Sequence, residues 1–138
     1  MDDRALYELA VKARAFSYSP YSDYRVGAAL LAKDGRVFTG CNVENAAYGP
    51  SNCAERTAFF KAVSEGATEF EAIAVAGGRK GAAFLDFCPP CGVCRQVMQE
   101  FCEPGSFRII MGNSAGELRA LTLGELLPYG FGAENTER

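Results

Sequence analysis

Histidine is absent from the 138 residues of this chain. A metal site would therefore have to use thiolates or carboxylates, and a mechanism that depends on an imidazole base is excluded. The chain also lacks any apolar run that approaches the roughly 20 residues needed to cross a bilayer. Its N-terminus, Met1-Asp2-Asp3-Arg4, has neither the basic nor the apolar region of a secretory signal. The sequence therefore predicts a cytoplasmic protein without a membrane partner.

An excess of positive charge is missing as well. The chain has 14 lysines and arginines against 17 acidic residues, which gives a formal net charge of -3. Proteins that bind a nucleic-acid backbone need a basic surface, so no nucleic-acid partner is expected. The length predicts one domain over residues 1–138, with a polar, frayed tail over 133–138.

The apolar pattern predicts alternating helices and strands. Helices are predicted over 3–16, 54–65 and 92–101, and strands over 25–32, 36–42, 72–76, 107–111 and 117–121. Asp34-Gly35 predicts a hairpin between the first two strands, since both residues tolerate positive φ. Thr122 and Glu125 have the spacing of a capping box before a short last helix. A hairpin followed by strand–helix–strand units predicts an α/β fold with a mixed sheet.

Three of the six cysteines stand close to a glutamate or to each other, in Cys53-Ala54-Glu55 and Pro90-Cys91-Gly92-Val93-Cys94. Cys91 and Cys94 are one helical turn apart, so their sulfurs face the same side. Both groups stand where a loop enters a predicted helix, and the positive ends of both helices would point at one metal. Zinc with three protein ligands keeps a position for water, and Glu55 beside that water could move protons. The pattern predicts a hydrolytic zinc centre.

Two alternatives remain open at this point. Cys88 and Cys91 also form a Cys-x-x-Cys pair, so Cys53, Cys88, Cys91 and Cys94 could hold a closed structural zinc. The pair could instead be a redox dithiol, although that chemistry gives no role to Cys53 and Glu55. Outside these roles, Cys41, Cys88 and Cys102 are interpreted as buried thiols. Arg56 or Arg95 could offset the charge of the thiolates, and spacing does not choose between them.

Further motifs carry a family resemblance over residues 5–132. They are Tyr18-Ser19-Pro20-Tyr21-Ser22, Val26-Gly27-Ala28-Ala29-Leu30, Gly40-Cys41-Asn42-Val43-Glu44-Asn45-Ala46-Ala47-Tyr48, Cys53-Ala54-Glu55-Arg56-Thr57-Ala58, Pro90-Cys91-Gly92-Val93-Cys94-Arg95-Gln96-Val97 and Leu126-Leu127-Pro128. With them the chain resembles the small, homotetrameric cytidine deaminases that bind zinc through three cysteines. Deaminases of nucleoside antibiotics such as blasticidin share the chemistry but lack a block like Asn42-Val43-Glu44-Asn45.

The resemblance implies a three-layer α/β/α sandwich with a mixed five-stranded sheet. It implies hydrolysis of cytidine and deoxycytidine to uridine and deoxyuridine plus ammonia, in pyrimidine salvage. One zinc ion per subunit would be bound by Cys53, Cys91 and Cys94, with Glu55 as the proton shuttle. The subunits would form a homotetramer whose sites are shared between neighbours.

The resemblance also implies the substrate contacts. Asn42 and Glu44 would bind the ribose hydroxyls, although spacing alone would make Asn42 a turn former and Glu44 a solvated charge. Arg56 would compensate the ligand charge. The other implied contacts are Tyr24, Ala54 and, toward a neighbouring subunit's site, Tyr48 and Phe131. Three departures accompany them: Tyr24 replaces the usual phenylalanine, Pro89 replaces a common serine, and segment 77–88 is longer than usual and is expected to cover the site or join an interface.

Overall fold

A five-stranded mixed sheet forms the centre of the computed structural model, which describes residues 1–136. Its strands are β1 Tyr24–Ala32, β2 Val37–Cys41, β3 Phe70–Arg79, β4 Arg108–Gly112 and β5 Leu118–Thr122. The order across the sheet is β2-β1-β3-β4-β5. Strand β1 is antiparallel to β2 and β3, β3 is parallel to β4, and β4 is antiparallel to β5. The predicted mixed sheet is confirmed.

Helices cover both faces of this sheet. They are α1 Asp3–Ala13, α2 Ala54–Ser64, α3 Gly92–Phe101 and α4 Leu123–Leu126. Successive side chains of a strand point to opposite faces, and β1 illustrates the result. Its Ala29 packs in one apolar cluster with Leu6 of α1, whereas its Leu30 packs in the other with residues of α2, α3 and α4. The three-layer α/β/α sandwich is therefore confirmed.

Small residues let the helices approach the sheet closely. A Cβ atom at Gly40 of β2 would lie 2.5 Å from the carbonyl oxygen of Ala54 and 2.6 Å from the amide nitrogen of Ala58. The first turn of α2 thus rests directly on the backbone of β2. This close contact fixes where α2 begins, and with it the positions of Cys53 and Glu55.

The connections differ in detail from the sequence predictions. In the hairpin between β1 and β2 only Gly35 has positive φ, at 95°, while Asp34 instead accepts a bond from Arg36 N at 3.0 Å. The capping box is confirmed, with Thr122 and Glu125 bonded in both directions. In the tail that the sequence predicts to be frayed, Ala133–Thr136 form a 3-10 helix, and Gly132 N donates to Asn135 Oδ1 at 2.8 Å. Residues 137 and 138 lie outside the described residues.

The segment that follows β3 lies against the end of the sheet. Leu85 packs on Gly78, where an added Cβ would be 2.6 Å from Leu85 Cδ2, and its backbone bonds to Ser114 in the β4–β5 turn. The guanidinium of Arg119 stacks on the ring of Phe87 at 4.2 Å from its centroid. These contacts lead the chain to Cys88 and Pro89, which contribute to the cavity described below. Among residues 1–136, no helix is both long enough and apolar enough to span a bilayer.

Candidate active site

Three cysteine sulfurs converge where α2 and α3 begin. Cys53 is the N-cap of α2 and Cys91 is the N-cap of α3, while Cys94 lies in the first turn of α3. The Sγ of Cys91 lies 3.7 Å from that of Cys53 and 3.4 Å from that of Cys94. Sulfurs bound tetrahedrally to one zinc at about 2.3 Å lie about 3.8 Å apart. The three cysteines therefore fit a zinc ion, with the positive ends of both helices directed at it.

Cys88 does not join this group. The ligand atoms of Cys53, Cys91 and Cys94 all lie within 4.8 Å of one another, and within residues 1–136 that group contains no fourth cysteine. The sulfur of Cys88 instead packs on Gly77, 2.6 Å from where a Cβ atom would stand. Burial raises the pKa of this thiol. The arrangement fits the open, three-ligand site rather than the closed four-thiolate alternative.

Arg56 is the arginine that approaches the sulfurs. Its Nη2 donates to Cys53 Sγ at 3.2 Å. Hydrogen bonds from Cys94 and then from Arg56 lower the pKa of Cys53 to about 5, and the same contact with Cys53 together with burial raises the pKa of Cys94. Arg95 turns away and donates to the carbonyl oxygens of Pro90 and Leu126, at 2.9 and 2.8 Å. Spacing alone had left the choice between Arg56 and Arg95 open, whereas the family resemblance had implied Arg56.

Glu55 stands next to this group in the first turn of α2. Its side chain is buried, with 4% relative exposure, and burial raises the pKa of its carboxyl to about 7. A carboxyl with a pKa near neutrality can both accept and release a proton, which general acid–base catalysis requires. The geometry thus places a carboxyl group that can gain and lose a proton near neutral pH beside the three cysteines.

A cavity of about 470 Å³ opens over these groups. That volume lies in the range of roughly 300–1,000 Å³ that is usual for small-molecule sites. Of the residues predicted from the sequence, the following line it: Asn42, Glu44, Tyr48, Cys53, Ala54, Glu55, Arg56 and Cys91. Cys94 is buried, at 1% exposure, and Tyr24 and Phe131 are not part of the lining.

Several lining residues had not been predicted from the sequence. They are Val26, Gly49, Ser51, Asn52, Cys88, Pro89 and Val93. In the apolar pattern Val26 and Val93 look like core residues, and their spacing does not indicate that they line a cavity. Pro89 stands where the family resemblance expects a serine, and the structure places it in the cavity lining.

Asn42 and Glu44 are held in place by the start of β1 and by the segment before it. Asn42 Oδ1 accepts bonds from Val26 N at 2.9 Å and from Ser17 Oγ, and its Nδ2 donates to Tyr24 O at 2.8 Å. The carboxylate of Glu44 accepts from the backbone of Tyr21 and from Ser22. Neither residue is a plain turn former or a freely solvated charge.

Two of the predicted aromatic side chains are exposed: Tyr48 lines the cavity, whereas Phe131 lies outside its lining. Tyr48 has a left-handed backbone, with φ of 38°, and is 72% exposed; its ring meets that of Tyr21 edge-on at 6.0 Å. Phe131 is 59% exposed, and its carbonyl oxygen accepts a bond from Gln96 Nε2 at 2.7 Å. Exposed aromatic rings of this kind are typical of surfaces that are covered by a partner.

The sequence and the fold both match known proteins. The family described as the cytidine and deoxycytidylate deaminase zinc-binding region matches residues 1–110. A cytidine deaminase of Halalkalibacterium halodurans is 50% identical over 135 residues, which cover 98% of this chain and 98% of that protein. One from Mycobacterium tuberculosis is 40% identical over 129 residues, covering 94% of this chain and 89% of that protein.

Solved structures give the same result. A crystal structure of cytidine deaminase from Burkholderia pseudomallei has a TM-score of 0.85 and 49% identity, and the match covers 95% of this chain and 100% of that one. The cytidine deaminase of Mycobacterium tuberculosis follows with a TM-score of 0.80 and 40% identity, over 96% of this chain and 98% of that one. At these identities the likeness extends beyond the fold.

Proposed function

Because the chain belongs to the cytidine deaminase family, we propose the following course for its reaction, the hydrolysis of cytidine to uridine and ammonia. The family resemblance carried by its motifs is thereby confirmed. One observation carries the chemistry: three cysteine sulfurs and the buried carboxyl of Glu55 meet at the wall of a cavity large enough for a nucleoside. Zinc, when bound there, would lower the pKa of a water molecule and make it a nucleophile near neutral pH.

Glu55 would carry the protons of this reaction. It takes a proton from the water that attacks C4 of the base, and it delivers that proton to a ring nitrogen. It then takes the proton of the hydroxyl now on C4 and gives it to the amino group, so that the C4–N bond breaks, ammonia leaves and the C4 carbonyl forms. A carboxyl whose pKa is raised by burial suits both steps, because it gains and loses a proton at little cost near neutral pH. Arg56 would keep the thiolate charge on Cys53 balanced during turnover.

Asn42 and Glu44 would bind the sugar. Asn42 has one side-chain N–H left after its bond to Tyr24, and Glu44 keeps acceptor capacity after its bonds to Tyr21 and Ser22. A single sugar hydroxyl that accepts from Asn42 and donates to Glu44 would satisfy both. Ribose and deoxyribose share such a hydroxyl, which supports deoxycytidine as a second substrate that yields deoxyuridine.

Ultraviolet absorbance tests this substrate range directly. Zinc-loaded protein is expected to remove the cytidine and deoxycytidine absorbance bands with kcat/KM values within about tenfold of each other. A larger ratio of the two kcat/KM values would require the loss of a contact worth more than about 1.4 kcal/mol. Ammonia release should match the absorbance change. Turnover of blasticidin S without turnover of either nucleoside would contradict the proposal and favour an antibiotic deaminase.

We also propose that the chain acts as one domain in a cytoplasmic homotetramer that serves pyrimidine salvage. The exposed rings of Tyr48, which lines the cavity, and of Phe131, which lies outside its lining, support shared sites in which each subunit completes the site of a neighbour. Tyr24 and Ala54 remain proposed substrate contacts. Tyr24 would make its contact if its side chain moved toward the cavity or if the bound base reached it. Sedimentation velocity of the active enzyme should give the mass of four chains, and a fully active monomer would contradict this arrangement.

A further inference from the structure

The short segment Tyr21–Tyr24 holds the carboxylate of Glu44 through three donors. Glu44 Oε1 accepts from Tyr21 N at 3.0 Å and from Ser22 N at 3.1 Å, and Oε2 accepts from the hydroxyl of Ser22. Both carboxylate oxygens are therefore engaged by one stretch of chain. The bond from the Ser22 side chain is also the main cause that lowers the pKa of Glu44.

The direction of the Ser22 hydroxyl is fixed by its neighbours. Its oxygen accepts a bond from Tyr24 N at 3.0 Å. A carboxylate can only accept, so the hydroxyl proton must point at Glu44. Between these residues, Asp23 has a left-handed backbone with φ of 60°, and its N–H closes a turn on Ser19 O at 3.0 Å. This tight turn directs the N–H groups of Tyr21 and Ser22 toward the same carboxylate oxygen.

The same segment also reaches the second sugar-binding candidate. The carbonyl oxygen of Tyr24 accepts the bond from Asn42 Nδ2. Ser22 itself does not line the main cavity; it lines an adjoining cavity of about 300 Å³ whose wall it shares with Glu44. Ser22 can therefore influence a bound sugar through Glu44. A glutamate without these bonds would be spread over several rotamers, and each binding event would have to select one of them.

We infer that Ser22 is a positioning residue for sugar recognition: its hydroxyl holds the carboxylate of Glu44 in the rotamer that meets the sugar hydroxyl of the nucleoside. The inference rests on the proposed role of Glu44 in binding the sugar. It assigns to the segment Tyr21–Tyr24 a function in substrate selection, because this segment fixes the donor and acceptor pattern that the sugar encounters.

The experiment compares Ser22→Ala with Ser22→Thr on two substrates, cytidine and 2′,3′-dideoxycytidine, which lacks the sugar hydroxyls at issue. In Ser22→Ala, KM for cytidine should rise roughly 3- to 10-fold, the range expected for one lost hydrogen bond, and kcat should change less than KM. The kcat/KM for dideoxycytidine should stay as in the parent enzyme. Ser22→Thr keeps the hydroxyl and should restore most of the affinity for cytidine. Ser106→Ala, an exposed serine on the loop before β4, serves as the matched control.

Each alternative outcome overturns the inference in a recognisable way. An equal loss on both substrates would give Ser22 a merely structural role, and thermal unfolding of each variant would reveal a folding defect. Glu44→Gln, measured in parallel, separates the two levels of the argument. If Glu44→Gln raises KM for cytidine alone while Ser22→Ala does not, the positioning role is wrong and the proposed function stands. If Glu44→Gln also leaves KM unchanged, the sugar-binding role of Glu44 is wrong, and the positioning role fails with it.

Discussion

Replacing Glu55 by glutamine is expected to lower kcat for cytidine by about 10²- to 10⁴-fold, the usual contribution of a general acid–base group. Glutamine has nearly the same shape as glutamate but cannot take up or release the proton. The buried position of residue 55 should accept it, since an amide brings no charge into a site where burial already disfavours the ionised carboxyl. Zinc content should remain at one ion per chain, because Glu55 is not one of the three ligands.

Two measurements check this expectation. Steady-state kinetics with cytidine gives kcat, and metal analysis of the same sample gives zinc occupancy. Glu65→Gln is the matched control, because Glu65 is exposed and caps the C-terminal end of α2, whereas Cys53 caps the N-terminal end. Full turnover by a zinc-loaded Glu55→Gln protein would show that another group carries the protons.

The sequence predicts those parts of the site whose residues are close together in the chain. Cys91 and Cys94 are one turn apart on a helix, and Cys53 and Glu55 are two residues apart at the start of another, so helix periodicity alone orients each pair. The limits of α3 and the capping box at Thr122 follow for the same reason, since both depend on neighbours along the chain. The meeting of the two helix ends was inferred from chemistry and is confirmed by the sulfur distances.

Contacts between segments that are distant in the chain could not be predicted from the sequence. Arg56 and Arg95 each follow a cysteine of the site closely, so spacing does not choose between them. In the structure Arg95 donates to Pro90 O and to Leu126 O, where α3 contacts α4. The role of Ser22 depends on a turn 22 residues before Glu44 in the chain. Val26 and Val93 could not be told from core residues because a cavity wall and a core use the same apolar side chains. Segment 80–88 has no periodic pattern, and its course is set by the tertiary contacts of Leu85 and Phe87.

Removal of a single sulfur distinguishes an open centre from a closed one. Cys91→Ala is expected to lose zinc and with it cytidine turnover, down to background, because two thiolates hold zinc far more weakly than three and the ion dissociates. Cys88→Ser should keep one zinc ion per chain, since its sulfur packs on Gly77 instead of joining the ligand group. Cys41→Ser, on β2 outside the main cavity, is the matched control and should keep both metal and turnover.

Metal analysis after dialysis, together with cytidine turnover, provides the readout. Loss of zinc from Cys88→Ser as well as from Cys91→Ala would mean that four thiolates surround the ion. Such a centre has no position for water, and the buried Glu55 would then have no proton to carry. If Cys88→Ser instead keeps zinc, the fourth position on the ion is available to water. The cost of burying the Glu55 carboxyl beside three sulfurs is then explained by its role in proton transfer. The metal content of the Cys88→Ser protein therefore decides whether Glu55 can act as the proton shuttle.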